Sequence, residues 1–138
     1  MRVLLAEDHT TNQRVVALIL EPLGVDLTIV GDGKQALDLA KSGGFDLILM
    51  DVQMPEMDGL TATRLLREHE TASGLARTPV ISLTANALPE HVEASLAAGS
   101  DRHLAKPIRP DTLIAAVTAF APGSGATAQP PEPVALRG

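Results

Sequence analysis

Cysteine, tryptophan and tyrosine are wholly lacking from the 138 residues, and phenylalanine occurs only twice. Without cysteine there is no disulfide scaffold, no thiol nucleophile and no cysteine-ligated zinc. The scarcity of rings removes base-stacking platforms and most flavin pockets. No apolar run approaches the ~18 residues of a membrane span, and no basic stretch leads into an apolar segment at the N-terminus, so neither a span nor a signal peptide is expected. The cytoplasm is the expected location, without membrane contact. Positive charge is also in short supply: 11 Lys and Arg against 17 Asp and Glu leave a formal charge of −6. Direct nucleic-acid binding is not expected, because phosphate backbones need a surplus of basic residues on one face. What remains, 45% hydrophobic and 20% charged residues, is ordinary for one soluble globular domain.

Three short runs are almost entirely apolar: Val3-Leu4-Leu5-Ala6, Leu47-Ile48-Leu49-Met50 and Val80-Ile81-Ser82-Leu83. Such runs suit strands covered on both faces. Two others, Val25 to Val30 and Arg102 to Ala105, alternate or are half polar and read as sheet edges. Between them lie helical patterns over roughly Thr11–Leu23, Gly33–Ser42, Gly59–Glu70, Pro89–Ala98 and Pro110–Phe120. Asp32 and Asp58 are placed to cap the second and third, Pro110 to open the last, and Gly43-Gly44 and Gly99 to stop the second and fourth. Repeated β-α units imply a parallel sheet with right-handed crossovers and helices on both faces. With the second and fifth strands at the edges, the order 2-1-3-4-5 fits, a flavodoxin-like doubly wound fold. This unit spans residues 1–121; residues 122–138, rich in Pro, Gly and Ala, read as a flexible tail or linker.

A doubly wound sheet binds ligands at the carboxyl ends of its strands, and chemistry-bearing residues collect there. The first strand ends in Glu7-Asp8, the third in Asp51, the fourth in Thr84 and the fifth in Lys106. Three carboxylates gathered in one cleft repel one another unless a cation is nearby or a pKa rises. Lys106 supplies one positive charge, and a Mg²⁺ held by carboxylates and water beside a phosphoryl group would supply two. Taken singly, each residue has a plain explanation: a turn Asp, a helix cap, a rim charge. Five of them at four strand ends make a pattern.

Glu7-Asp8, Asp51 within Leu-Met-Asp-Val-Gln-Met-Pro-Glu-Met-Asp-Gly, Thr84-Ala85 and Lys106-Pro107 resemble the full motif set of bacterial response-regulator receiver domains. The resemblance implies that Asp51 is the phosphoacceptor, taking a phosphoryl group from a phosphohistidine, with a histidine kinase, a histidine phosphotransfer protein or other domains of a parent kinase as partner. It implies that Asp8, Asp51 and the backbone carbonyl of Gln53 contact Mg²⁺, with Glu7 helping through water. It also implies that Lys106 and Thr84 contact the phosphoryl group, that Ala85 leaves room for it, and that the Lys106-Pro107 peptide is cis. The Asn12-Gln13 pair resembles receivers fused to, or serving, hybrid sensor kinases. In two places the sequence departs from its relatives. His103 stands where many carry the Tyr or Phe of a switch region shared with Thr84 and Pro107, and His9 where the kinase-linked subset often has Asn.

The expected role is a signalling module with at most slow autodephosphorylation rather than an enzyme. A hydrolase that turns over its aspartyl phosphate usually has an acidic residue two places after the nucleophile, where this chain has Gln53. A receiver-like interaction module independent of phosphate would need none of Glu7, Asp8, Asp51, Thr84 and Lys106. The four histidines have no spacing that joins them on one metal. On the first helix the apolar residues spread over about 200°, wider than the ~100° stripe that packing requires, so Leu18 or Leu20 is expected to join a docking surface for a helical partner. The fourth helix has only Leu88, Val92 and Leu96 to bury, which makes it the loosest expected helix.

Overall fold

The computed structural model describes residues 1–85 and 88–121. The tail at 122–138 therefore lies outside the described residues. Five strands, β1 (Arg2–Ala6), β2 (Asp26–Val30), β3 (Leu47–Asp51), β4 (Val80–Thr84) and β5 (Arg102–Ala105), alternate with five helices. The helices are α1 (Thr10–Leu20), α2 (Gly33–Ser42), α3 (Gly59–Ser73), α4 (Pro89–Ala98) and α5 (Pro110–Ala119). The sheet is five-stranded, with order β2-β1-β3-β4-β5, and each neighbouring pair is parallel. β3 and β4 are buried at every position and β1 from Val3 onward, whereas the edge strands stay partly open. The continuous apolar runs and the alternating ones thus mark centre and rim.

Because successive side chains point to opposite faces, each central strand feeds two cores. Val3, Leu5, Leu47, Leu49, Ile81 and Leu83 meet Val16 and Leu20 of α1 and Leu113, Ala116 and Val117 of α5. Leu4, Ala6, Ile48, Met50 and Val80 meet Ala36, Leu37 and Ala40 of α2 and Ala62 and Leu66 of α3. Asp32 and Asp58 cap as expected, accepting from the backbone N–H of Gln35 at 2.8 Å and of Thr61 at 2.7 Å.

Three expectations change. α1 stops at Leu20, and Glu21–Leu23 forms a 3₁₀ turn that ends at Gly24, φ 71°; Pro22 has no N–H to continue the α-helical ladder. Leu20 is 1% exposed within the first core, a placement that contributes about 1.5–3 kcal/mol and removes it from any docking surface. Leu18 is the exposed residue, at 61%. At α4, the N-cap residue Leu88 and Leu96 remain half exposed and Ser95 is the buried residue, so the expected apolar line is not buried.

Candidate active site

The strands end in register, which carries the terminal side chains of β1, β3 and β4 and the residue after β5 to one edge of the sheet. Glu7 follows β1 and is tied to the sheet by its N–H, which donates to the Val30 carbonyl at 3.0 Å. Lys106 follows β5 and donates its backbone N–H to the Thr84 carbonyl at 2.7 Å. The Lys106-Pro107 peptide is cis. The Lys106 ammonium lies 2.9 Å from Glu7 Oε1 and 3.0 Å from Asp51 Oδ2. Both carboxylates are nearly inaccessible, at 1% and 3% exposure.

Burial dominates the electrostatics of this trio, and the partners decide which way each group moves. Asp51 is pushed up from the usual aspartate value by burial, reinforced by the negative charge of Glu7, against the opposing pull of Lys106 and the Gln53 N–H. Glu7 also feels burial, but hydrogen bonds from Lys106, the His9 backbone N–H and Asn12 outweigh it and hold its carboxyl below the usual range. Burial works against the Lys106 charge, yet its two carboxylate partners lift it above an ordinary lysine.

Around Asp51 the chain is packed closely. Its Oδ1 accepts the Gln53 N–H at 3.3 Å, Val52 N–H donates to the Leu83 carbonyl at 3.0 Å, and Gly59 N–H donates to the Val52 carbonyl at 2.9 Å. A Cβ on Gly59 would stand 2.0 Å from the Asp51 carbonyl oxygen, and one on Gly33 would stand 2.1 Å from the Met57 carbonyl oxygen. These glycines let α3 and α2 begin against the loop that follows β3. Within that loop Glu56 takes φ 65°.

The residues singled out from sequence divide into two overlapping groups. Glu7, Asp51 and Lys106 form the ion-paired trio. Glu7, Asp8 and His9 form a second cluster whose donor atoms all lie within 4.8 Å of one another, and Asp51 is not a member of it. His9 Nδ1 is 3.2 Å from Asp8 Oδ1 and 3.4 Å from Glu7 Oε2. The spacing of the four histidines carries no sign of this cluster. The usable signal was adjacency to Glu7-Asp8 at a strand end. Asp8 is not the cap of α1, a position held by His9 without a side-chain bond. Nor is Thr84, at the end of β4, the cap of α4, a place held by Leu88. Ala85 is exposed after β4, and His103 is half buried on β5 in register with Ser82. Pro107 is exposed beyond Lys106.

Three carboxylates, Glu7, Asp8 and Asp51, share this edge with one ammonium, and two of the three are buried. The surplus negative charge and the hard oxygen donors fit a divalent cation such as Mg²⁺. No described helix is long and apolar enough to cross a membrane.

Comparison with known proteins identifies the family. The response regulator receiver domain family matches residues 3–118. Hybrid signal transduction histidine kinase I of Dictyostelium discoideum is 44% identical over 117 residues, 81% of this chain and 7% of that protein. The histidine-protein kinase BarA of Escherichia coli K12 is 38% identical over 127 residues, 91% of this chain and 13% of that protein. The chain thus corresponds to a small part of these kinases. Among solved structures, the receiver domain of sensor histidine kinase PA1611 from Pseudomonas aeruginosa PAO1, with a magnesium ion coordinated in its active-site cleft, is 40% identical with a TM-score of 0.77. The match covers 86% of this chain and 95% of that one. The Saccharomyces cerevisiae receiver domain of Ssk1, crystallised with the histidine phosphotransfer protein Ypd1, gives a TM-score of 0.83 at 27% identity, covering 87% and 88%. With strand ends, fold and family match in agreement, the chain belongs to the response regulator receiver domain family.

Proposed function

We propose that this chain is a phosphoacceptor domain of a two-component phosphorelay, acting in the cytoplasm, and that Asp51 receives the phosphoryl group. The observation that carries the reading is the Lys106 ammonium between the buried carboxylates of Glu7 and Asp51, 2.9 and 3.0 Å away. A carboxylate oxygen of Asp51 attacks the phosphorus of a phosphohistidine, the P–N bond breaks, and the imidazole of the donor leaves with the bond's electron pair. Burial and the negative charge of Glu7 raise the affinity of Asp51 for a proton above that of an ordinary aspartate. Lys106 moves toward the transferred group and balances charge that accumulates on its oxygens. Thr84 donates its hydroxyl to the same group, and the exposed, small Ala85 beside it leaves space.

Asp8, Asp51 and the Gln53 backbone carbonyl hold Mg²⁺ in this reading, with Glu7 acting through water. When bound, Mg²⁺ supplies electrostatic neutralisation of the phosphoryl oxygens. Engagement of Thr84 and Lys106 by the phosphoryl group is read out through β5, with His103 and Pro107 in the switch region. The partner is a histidine kinase, a phosphotransfer protein or another domain of a parent hybrid kinase. Leu18, exposed on α1 between Arg14 and Glu21, is the apolar contact offered to its histidine-bearing helix.

The test is intact mass after incubation with Mg²⁺ and a small phosphodonor. One phosphoryl adduct on the native chain and none on Asp51→Asn is the expected result. Continuous phosphate release would favour a hydrolase, and no adduct a phosphate-independent interaction module. Leu18→Asp is expected to slow transfer from a phosphorylated helical donor at least tenfold while leaving labelling by the small donor unchanged. An unaltered rate from the protein donor would remove Leu18 from the docking surface.

A further inference from the structure

His9 holds the N-cap position of α1 yet makes no side-chain cap. An N-cap side chain ordinarily turns to the free N–H groups of the first helical turn; here the imidazole faces the acidic edge instead. Its Nδ1 lies 3.2 Å from Asp8 Oδ1 and 3.4 Å from Glu7 Oε2, and one donor atom from each of the three residues falls within a 4.8 Å sphere of separations. An octahedral ion bound at about 2.1 Å sets adjacent donors about 3 Å apart. The 3.2 Å from Nδ1 to Asp8 Oδ1 is thus close to the separation of neighbouring ligands around a single ion. The His9 backbone N–H also donates to Glu7 Oε2 at 3.1 Å, which fixes the start of α1 relative to that carboxylate. The ring itself stays accessible from solvent, at 69% side-chain exposure, so an ion can reach it.

We propose that His9 is a specificity-determining ligand of the divalent-ion site, adding a nitrogen donor that shifts the site toward nitrogen-accepting ions such as Mn²⁺, Co²⁺ and Ni²⁺. The proposal rests on the divalent-ion reading above and extends it from the identity of one ion to the order of preference among several. Mg²⁺ favours oxygen and water and gains little from imidazole. First-row transition ions gain from it increasingly along the series from Mn²⁺ to Ni²⁺. Asp8, and Glu7 through water, serve both classes of ion; His9 discriminates between them.

Tag-free full chain is titrated calorimetrically with Mg²⁺ and with Ni²⁺, in the native form, in His9→Asn and in Asp8→Asn. Asn is itself a favoured N-cap residue, so His9→Asn keeps the start of the helix. The expected result is a loss of at least tenfold in Ni²⁺ affinity in His9→Asn with Mg²⁺ affinity within about twofold of native, and loss of both ions in Asp8→Asn. Electron-spin-echo spectra of the Mn²⁺-loaded native chain are expected to show imidazole nitrogen coupling that vanishes in His9→Asn. An unchanged ratio of Ni²⁺ to Mg²⁺ affinity in His9→Asn, or absence of that coupling, overturns the role of His9 while leaving the Mg²⁺ site standing. Failure of the native chain to bind Mg²⁺, or binding indifferent to Asp8→Asn, overturns the divalent-ion reading and this proposal with it.

Discussion

Lys106 is the residue on which the balance of the site turns, because it is the cation that lets two buried carboxylates lie side by side. Its affinity for a proton is raised above the ordinary value near 10.5. A raised lysine stabilises the folded state fully below the unfolded value and loses that contribution as pH climbs through the folded one. Tyrosine, the other common alkaline titrator, is absent, and Lys34 and Lys41 lie exposed on α2. The unfolding midpoint of the native chain, followed by circular dichroism, is therefore expected to fall above pH ~10.5 more steeply than that of Lys106→Met. Near neutrality Lys106→Met should be less stable by about 1–3 kcal/mol, under the cost of breaking a fully buried pair because Lys106 still touches water. Parallel alkaline slopes for the two proteins would show that the pairing contributes nothing. In acid the two carboxylates pull oppositely. Glu7, lowered, costs stability as pH falls through its folded value; Asp51, raised, gives some back as it protonates. The trio was legible in the sequence because each member directly follows an apolar strand. The part played by His9 was not, since its meaning comes from the turn that brings its ring back onto Asp8 and Glu7.

At the level of elements, α4 differs from its neighbours. α1, α2, α3 and α5 each contribute apolar side chains to a core, while α4 buries Ser95 and leaves Leu88 and Leu96 half exposed. Its two ends are not held alike. At the C-terminal end Arg67 Nε and Arg77 Nη2 both donate to the Gly99 carbonyl at 2.9 Å, and Ser100 is hydrogen-bonded to Ser82 of β4. At the N-terminal end, nearer Thr84, Leu88, Pro89 and Glu90 are exposed, and the Leu88 carbonyl accepts the His91 and Val92 N–H groups of the helix's own first turn. Amide exchange measured by mass spectrometry is expected to be faster in α4 than in α1, and fastest in its first two turns. Protection equal to that of α1 would contradict this reading of the packing. Sequence reasoning identified α4 as weakly anchored but assigned Leu88 and Leu96 to the interior. Spacing at i, i+4 and i+8 aligns side chains along a helix without fixing whether that line faces the sheet. Caps and stops were more legible, since Asp32, Asp58, Gly43 and Gly99 act through their own backbone neighbourhood.

Over the whole molecule, charge is concentrated at both ends of the sheet, and only one concentration was visible from sequence. Opposite the Asp51 edge, where β4 and β5 begin, Arg67 reaches across three segments. It donates to the Thr78 carbonyl at 2.8 Å, to Glu70 Oε1 at 2.8 Å and to Asp101 Oδ2 at 3.0 Å. Glu70, 6% exposed, also accepts the Thr78 N–H at 2.9 Å, and Asp101 Oδ2 accepts the Val80 N–H at 2.9 Å. Glu70 is an i,i+3 neighbour on the same helix, but Thr78 and Asp101 lie 11 and 34 residues away, so no local pattern announces the clamp as a whole. Arg67→Ala leaves Glu70 buried without its counter-charge, and a loss of about 3–5 kcal/mol is expected in urea unfolding. Because this clamp and the Asp51 trio share no partner and sit at opposite ends of the strands, the double variant Arg67→Ala with Asp51→Asn should differ from the sum of the single changes by less than about 0.5 kcal/mol. A larger coupling would mean that the central strands transmit the state of Asp51 to the far edge of the sheet, and the two ends could no longer be treated as independent.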